Sequence, residues 1–153
     1  MQKITPFLTF NNQAGEAVEF YVSIFKNSSI HSLLRHGGDG PVMHASFQLN
    51  GQEFMAIDGG PSFAFDQGHS LFVACETQQE VDELWEKLTA DGGEPGPCGW
   101  LKDKFGVSWQ IIPNALGELM QSGDAGKSQK VMAAMLTMGK IDIAALRQAF
   151  EQG

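Results

Sequence analysis

Short stretches of this chain alternate apolar and polar residues with a period of two, and they are separated by segments in which apolar residues recur at helical spacing. Residues 4–10 read as a strand. Behind it Ala14, Val18, Tyr21, Val22 and Phe25 form one apolar helical stripe, with Asn11 or Asn12 placed to accept the first free amides of that helix. A second strand is expected over 28–34. His36-Gly-Gly-Asp-Gly-Pro41 then reads as a loop; neither a Gly-Lys-Ser/Thr nor a helix follows it, which argues against a phosphate-binding loop. Residues 43–49 and 52–58 flank Asn50-Gly51, a pair suited to the two positive-φ positions of a type I′ hairpin turn. That turn sets the register: Leu49 faces Gln52, Phe47 faces Phe54, Ala45 faces Ala56 and Met43 faces Asp58. Ala45, Phe47, Phe54 and Ala56 make an apolar side suited to packing under the helix. His44, Ser46, Gln48, Glu53, Met55 and Ile57 make a mixed side.

The same order returns in the second half. A linker runs from Gly59-Gly60-Pro61 through Gln67-Gly68 and holds Phe63 and Phe65. Residues 70–75 read as a strand, and Thr77-Gln-Gln-Glu80 is a capping box opening a helix whose stripe is Val81, Leu84, Trp85 and Leu88. Asp91-Gly-Gly-Glu-Pro-Gly-Pro97 ends that helix. Residues 99–102 approach a tight turn at 103–106, and 107–112 return. On the returning strand Val107, Trp109 and Ile111 form one apolar face, while Ser108, Gln110 and Ile112 form a candidate wall for a small molecule. Laid over the first half, Leu71 falls on Leu8, Val81 on Val18, Leu84 on Tyr21, Trp85 on Val22 and Leu88 on Phe25, and Gln110 matches Met55. This echo indicates an internal duplication. In the tail, Val131, Met132, Met135, Leu136 and Met138 lie on a helical repeat over 127–138, and Asp142 can cap a last helix holding Ile143, Leu146 and Phe150. These methionines read as core packing or subunit contact rather than as cofactor contacts.

Composition narrows the classes. The chain has 153 residues, 42% hydrophobic and 18% charged, which suits one globular domain built of two similar halves. A formal net charge of -8 repels phosphate backbones and anionic lipid, so neither nucleic acid nor a membrane is expected as a partner. No apolar run reaches the roughly eighteen residues of a membrane span, and the first residues lack the apolar core of a signal peptide, so cytoplasm is the expected address. Cys75, at the end of a strand, reads as a small buried thiol. Cys98, between Pro97 and Gly99, reads as a loop cysteine with no triad around it.

A strand, a helix and three strands, given twice, resembles the plan of the glyoxalase/bleomycin resistance/dioxygenase superfamily, the vicinal oxygen chelate proteins. The motifs resemble its PhnB-like branch, also labelled 3-demethylubiquinone-9 3-methyltransferase-like. They are Ile4-Thr-Pro-Phe-Leu-Thr-Phe10 with Phe20-Tyr21 and Phe25, His44-Ala-Ser-Phe47 with Asn50-Gly51, Ser70-Leu-Phe-Val73, and Gly99-Trp-Leu-Lys-Asp-Lys-Phe-Gly-Val-Ser-Trp-Gln110. The resemblance implies an α+β fold of two βαβββ modules, residues 1–60 and 66–115, forming a curled sheet with a central cleft. A C-terminal helical tail, 116–153, completes one structural domain. Together with the apolar tail helices it also implies a homodimer.

In metal-using relatives one side chain from the first strand and one from the last strand of each module hold a divalent ion. Carried over, those places are Pro6, Met55, His69 and Gln110. Proline cannot ligate and a thioether is a soft, weak ligand, which leaves His69 and Gln110; no cofactor is therefore expected. A divalent metal stays open only through His69 and Gln110, or through a shifted set adding Glu53 and His44. His69 is the candidate catalytic acid–base group. Two functional classes follow. One is a small-molecule-binding protein with ligand walls from Pro6, Leu8, His44, Met55, Ile57, His69, Leu71 and Gln110, and with Trp100 or the Phe63/Phe65 loop as covers. The other is a metal-dependent lyase, isomerase or dioxygenase acting on a vicinal-oxygen substrate. A structural or regulatory protein would instead fill the cleft with its own side chains. Methyl transfer from adenosylmethionine is not expected, because that chemistry typically uses a doubly wound sheet with a glycine-rich first turn, and here the first strand ends in Asn11-Asn12.

Overall fold

The computed structural model describes residues 2–152. Its elements are β1 (Phe7–Phe10), α1 (Ala14–Ile24), β2 (Ser29–Arg35), β3 (Val42–Leu49), β4 (Gln52–Asp58), β5 (Leu71–Cys75), α2 (Gln78–Thr89), β6 (Glu94–Pro95), β7 (Trp100–Lys102), β8 (Ser108–Pro113), α3 (Asn114–Met120), α4 (Ala125–Met135) and α5 (Ile143–Glu151). The fold is α+β, two βαβββ modules and a set of C-terminal helices, and it forms two compact units divided between Ala64 and Phe65. The sheets run β1-β4-β3-β2 and β5-β8-β7-β6. In each, the first strand pairs parallel with the last and the remaining pairs are antiparallel.

In the first unit the hairpin forms as its turn chemistry requires, with Asn50 at φ 49 and Gly51 at φ 86. Leu49 pairs with Gln52, Phe47 with Phe54 and Ala45 with Ala56, and the two phenyl rings stack at 5.4 Å. The expected Met43–Asp58 pair lies beyond the ladder, which ends at His44 and Ile57. Asp58 turns instead to α1, where its Oδ1 accepts the Ala14 N–H at 2.9 Å. That contact replaces the expected asparagine cap: the N-cap residue is Gln13, and Asn12 sits in the left-handed region at φ 60. Ala14, Ala17, Val18 and Tyr21 bury one face of α1 against the sheet. Strand β1 begins at Phe7, three residues later than expected. Pro6 has no N–H for the ladder, although its carbonyl still accepts the Met55 N–H at 3.0 Å.

In the second unit Thr77 caps α2 by accepting the Glu80 N–H at 3.1 Å. The Glu80 carboxylate reaches back to the N–H of Glu76, at 2.8 Å, one residue before the cap. Val81, Leu84 and Leu88 bury the helix against β5, β7 and β8. Asp103, 2% exposed, organises the β7–β8 turn: its Oδ1 accepts from Phe105 N at 2.9 Å and Val107 N at 3.1 Å, and its Oδ2 from the Trp109 indole N–H at 2.8 Å. Val107 closes this turn, accepting the Asp103 N–H at 2.9 Å, so the returning strand starts at Ser108.

The tail holds one helix more than its stripe suggests, since α3 is too short to display a repeat. Asp124 caps α4 and Asp142 caps α5. Val131, Ile141 and Leu146 form a small core with Ile112, Met135, Met138 and Phe150, while Met132 and Leu136 stay exposed. Backbone bonds join Cys98 N to Met138 O and Gly99 N to Gly139 O, both at 2.8 Å. Gln78 donates to Ile141 O at 2.9 Å and accepts from Ile143 N at 2.7 Å, pinning the tail to α2. Among the described residues no helix is long and apolar enough to cross a membrane.

Candidate functional site

Each sheet has one face under its helix and one open face, and the ladder registers say which side chain lies on which. In the first unit Leu8 pairs with Ala56, so Leu8, Phe10, Ala45, Phe47, Phe54 and Ala56 face α1. The open face carries Thr9, Ile57, His44 and Leu34 in one row across the strands, and Phe7, Met55, Ser46 and Ser32 in the next. His44, Met55 and Ile57 are half-buried there. The Phe7 and His44 rings lie 6.2 Å apart, and the Ser32 and Ser46 hydroxyls share a hydrogen bond of 2.7 Å.

In the second unit Leu71 pairs with Trp109 and Val73 with Ile111, so these residues share the covered face with Leu101. The open face holds Phe72, Gln110 and Trp100 in one row, and Ser108 and Lys102 in the next. Gln110 is held by its Nε2 donating to Ser70 Oγ at 2.9 Å.

Of the expected wall residues, His44, Met55, Ile57 and Gln110 lie on open faces, and Trp100, expected as a cover, lies on one as well. Leu8 and Leu71 do not: both lie under the helices, and Phe7, Thr9 and Phe72 occupy the open positions beside them. A parallel pairing has no connecting turn to fix its register, so counting along β1 and β5 alone leaves this parity open. Pro6 is half-buried just ahead of β1. His69 is exposed in the turn before β5, its backbone N–H donating to Asp66 O at 3.3 Å.

The carried-over ligand places do not fit a divalent ion. Proline and thioether supply no hard donor, which leaves His69 and the Gln110 amide oxygen, too few protein ligands to hold such an ion against water. Glu53 shares the face of Met55, but His44 lies opposite Ile57, four residues along the strand and about 13 Å away. Among the described residues no three His, Cys, Asp or Glu side chains could hold a metal ion. The shifted groups lie elsewhere and have structural causes. Burial, then the Glu80 charge, pushes the Cys75 thiol up to about 12. Hydrogen bonds from Lys140 and Gln78 hold Asp82 below the usual carboxylate range, with Lys140 Nζ 2.8 Å from Asp82 Oδ1.

The sequence matches the model of the family described as 3-demethylubiquinone-9 3-methyltransferase over residues 2–112. No curated protein matches. Among solved structures the chain is similar to a PhnB protein from Bacillus cereus at 43% identity, over 73% of this chain and 99% of that one, with a TM-score of 0.67. It shares a fold with protein PA1353 from Pseudomonas aeruginosa, at 24% identity over 74% of this chain and 98% of that one, TM-score 0.61. It also shares one with FosX, a fosfomycin resistance protein from Listeria monocytogenes crystallised with Mn(II) and sulfate, at 17% identity over 71% of this chain and 89% of that one, TM-score 0.52. With a family match over most of its length and a solved relative at 43% identity that shares its doubled βαβββ topology, the chain belongs to the PhnB-like family described as 3-demethylubiquinone-9 3-methyltransferase.

Proposed function

We propose that this protein binds a small organic molecule against the open faces of its sheets. The observation that carries the reading is the first unit's open face, where Met55, Ile57 and Phe7 alternate with His44, Ser46 and Thr9 and no element of that unit covers them. Such a surface offers apolar contact with a few hydroxyl and imidazole groups to orient a ligand. Phe7 and Phe72 are 49% and 60% exposed, apolar surface of the kind a bound molecule covers. Methyl transfer gains no support from the family's descriptive name, because each described sheet has four strands with a single parallel pair rather than a doubly wound parallel order. The metal-dependent reading gains none from the donor set.

A panel of small aromatic and alicyclic oxygen-bearing compounds, screened by ligand-observed NMR against wild type, Met55→Asp and Gln110→Ala, tests the proposal. The expected result is at least one binder whose affinity falls about tenfold, roughly 1.4 kcal/mol, in one of the variants while the circular dichroism of the free protein is unchanged. Binding that neither variant weakens, or a panel with no binder, overturns it.

A further inference from the structure

Two polar residues of the whole described chain are buried, Asp103 and Ser108. Asp103 is satisfied by the three donors already described. Ser108, 3% exposed, has no hydrogen-bond partner for its hydroxyl among the described residues. Among the described residues no fully enclosed side-chain nitrogen or oxygen goes unpaired, so the Ser108 oxygen keeps a narrow approach from outside. A hydroxyl that no protein group engages and that stays reachable is free to bond a water or a ligand atom.

Directly opposite Ser108 across the β7–β8 ladder is Lys102, which puts the two Cβ atoms about 5 Å apart on the same open face. Lys102 is half-buried, and its ammonium forms no ion pair with any described carboxylate. Glu94 stands across from Lys102 on its other side, exposed and not ion-paired with it. The next row of the same face holds Trp100, Gln110 and Phe72. An ammonium and a hydroxyl side by side suit an oxyanion, which accepts from both, and the neighbouring rings suit an aromatic or apolar body.

We propose that Lys102 and Ser108 form an anion subsite on the second sheet, and that the ligand is an aromatic or apolar molecule bearing a carboxylate or similar oxyanion. This rests on the ligand-binding reading above and adds the charge of the ligand to it. Benzoate and benzamide, matched in shape and differing in charge, are the probes. Their affinities are compared by NMR titration at low and moderate salt for wild type, Lys102→Gln, Lys102→Arg, Ser108→Ala and Glu94→Gln.

Wild type should bind benzoate about tenfold tighter than benzamide, less so as salt rises. Lys102→Gln should abolish that preference and leave benzamide binding unchanged, Lys102→Arg should keep it, and Glu94→Gln should increase it severalfold. Ser108→Ala should weaken benzoate without lowering the melting temperature of the free protein, which a merely structural serine would not allow. Equal affinities in wild type, or a preference that survives Lys102→Gln, overturn the anion subsite while leaving ligand binding in place. Absence of binding by both probes and by every compound of the wider panel overturns the two readings together.

Discussion

Replacing Asp103 tests how the second unit holds its shape. The carboxylate accepts two turn amides on Oδ1 and the Trp109 indole on Oδ2, in a site 2% exposed. In Asp103→Asn the carbonyl oxygen can keep both amides, but the new NH2 meets the indole N–H donor to donor. Trp109 is 2% exposed, so the freed N–H cannot turn to water. A lost hydrogen bond to a charged group costs about 1.5–3 kcal/mol, so about 2 kcal/mol is expected for Asn. In Asp103→Ala the turn amides lose their acceptor too, and about 4 kcal/mol is expected once partial rehydration of the turn is allowed for. For a chain of this size these values correspond to melting-temperature drops of roughly 4–8 °C and 8–16 °C. Urea unfolding followed by tryptophan fluorescence reads the effect cleanly, because Trp85, Trp100 and Trp109 all belong to the second unit. Combining Asp103→Asn with Trp109→Phe isolates the indole bond, with a coupling of about 1.5 kcal/mol expected. An Asp103→Asn protein within about 0.5 kcal/mol of wild type, or strict additivity in the double variant, would refute the assignment of Asp103 as the pin.

Three further outcomes are expected. Gly99 has φ +86, and a Cβ there would meet Ile112 Cδ1 at 2.6 Å and Ile141 Cγ1 at 3.1 Å, so Gly99→Ala should cost more than the roughly 1–2 kcal/mol of left-handed strain alone; urea midpoints check this. Gln78→Ala removes that side chain's two bonds to the tail and leaves the Lys140–Asp82 ion pair, so hydrogen exchange at Ile143 N–H should quicken about tenfold while β8 amides keep their protection. The Cys75 thiol rises from 9.0 to about 12 on folding, so the unfolded chain ionises first. The stabilisation is whole below pH 9 and is lost between pH 9 and 12, at up to about 1.4 kcal/mol per pH unit; denaturation across that range should be steeper for wild type than for Cys75→Ala.

What the sequence makes legible here is what depends on neighbours in the chain. Asn50-Gly51 dictates its own turn and with it the pairing of Phe47 with Phe54, and Thr77 dictates its own cap. The helical stripes locate α1 and α2 because each buries one face over three turns. Contacts between distant segments are not legible in the same way. Asp58 caps a helix that begins 44 residues before it, a contact with no local signature. The parity of Leu8 and Leu71 depends on parallel pairings that no turn enforces, and an error of one residue exchanges the covered face for the open one. Asp103 and Ser108 sit in a stretch whose composition announces a turn and a strand; only the folded structure separates the carboxylate that pins the turn from the hydroxyl that no described side chain or backbone group engages.

The tail sharpens which part of the second sheet is left for a ligand. It lies outside the matched family region, which ends at residue 112. Its buried core of Val131, Ile141 and Leu146 is too small to stand alone, so its order must be borrowed from the module it packs on. The loan is visible as directional bonds at Cys98, Gly99 and Gln78, and as the side chain of Ile112, which leaves the open face of β8 to join the tail's core. Ile112 is two residues beyond Gln110 and so on the same face, one row further along. Covering that row closes the Ile112 end of the sheet and leaves the row of Gln110 with Trp100 and Phe72, and beyond it Lys102 beside the nearly buried Ser108, as what remains of its open face. A molecule seated there would meet rings at one end and the ammonium at the other.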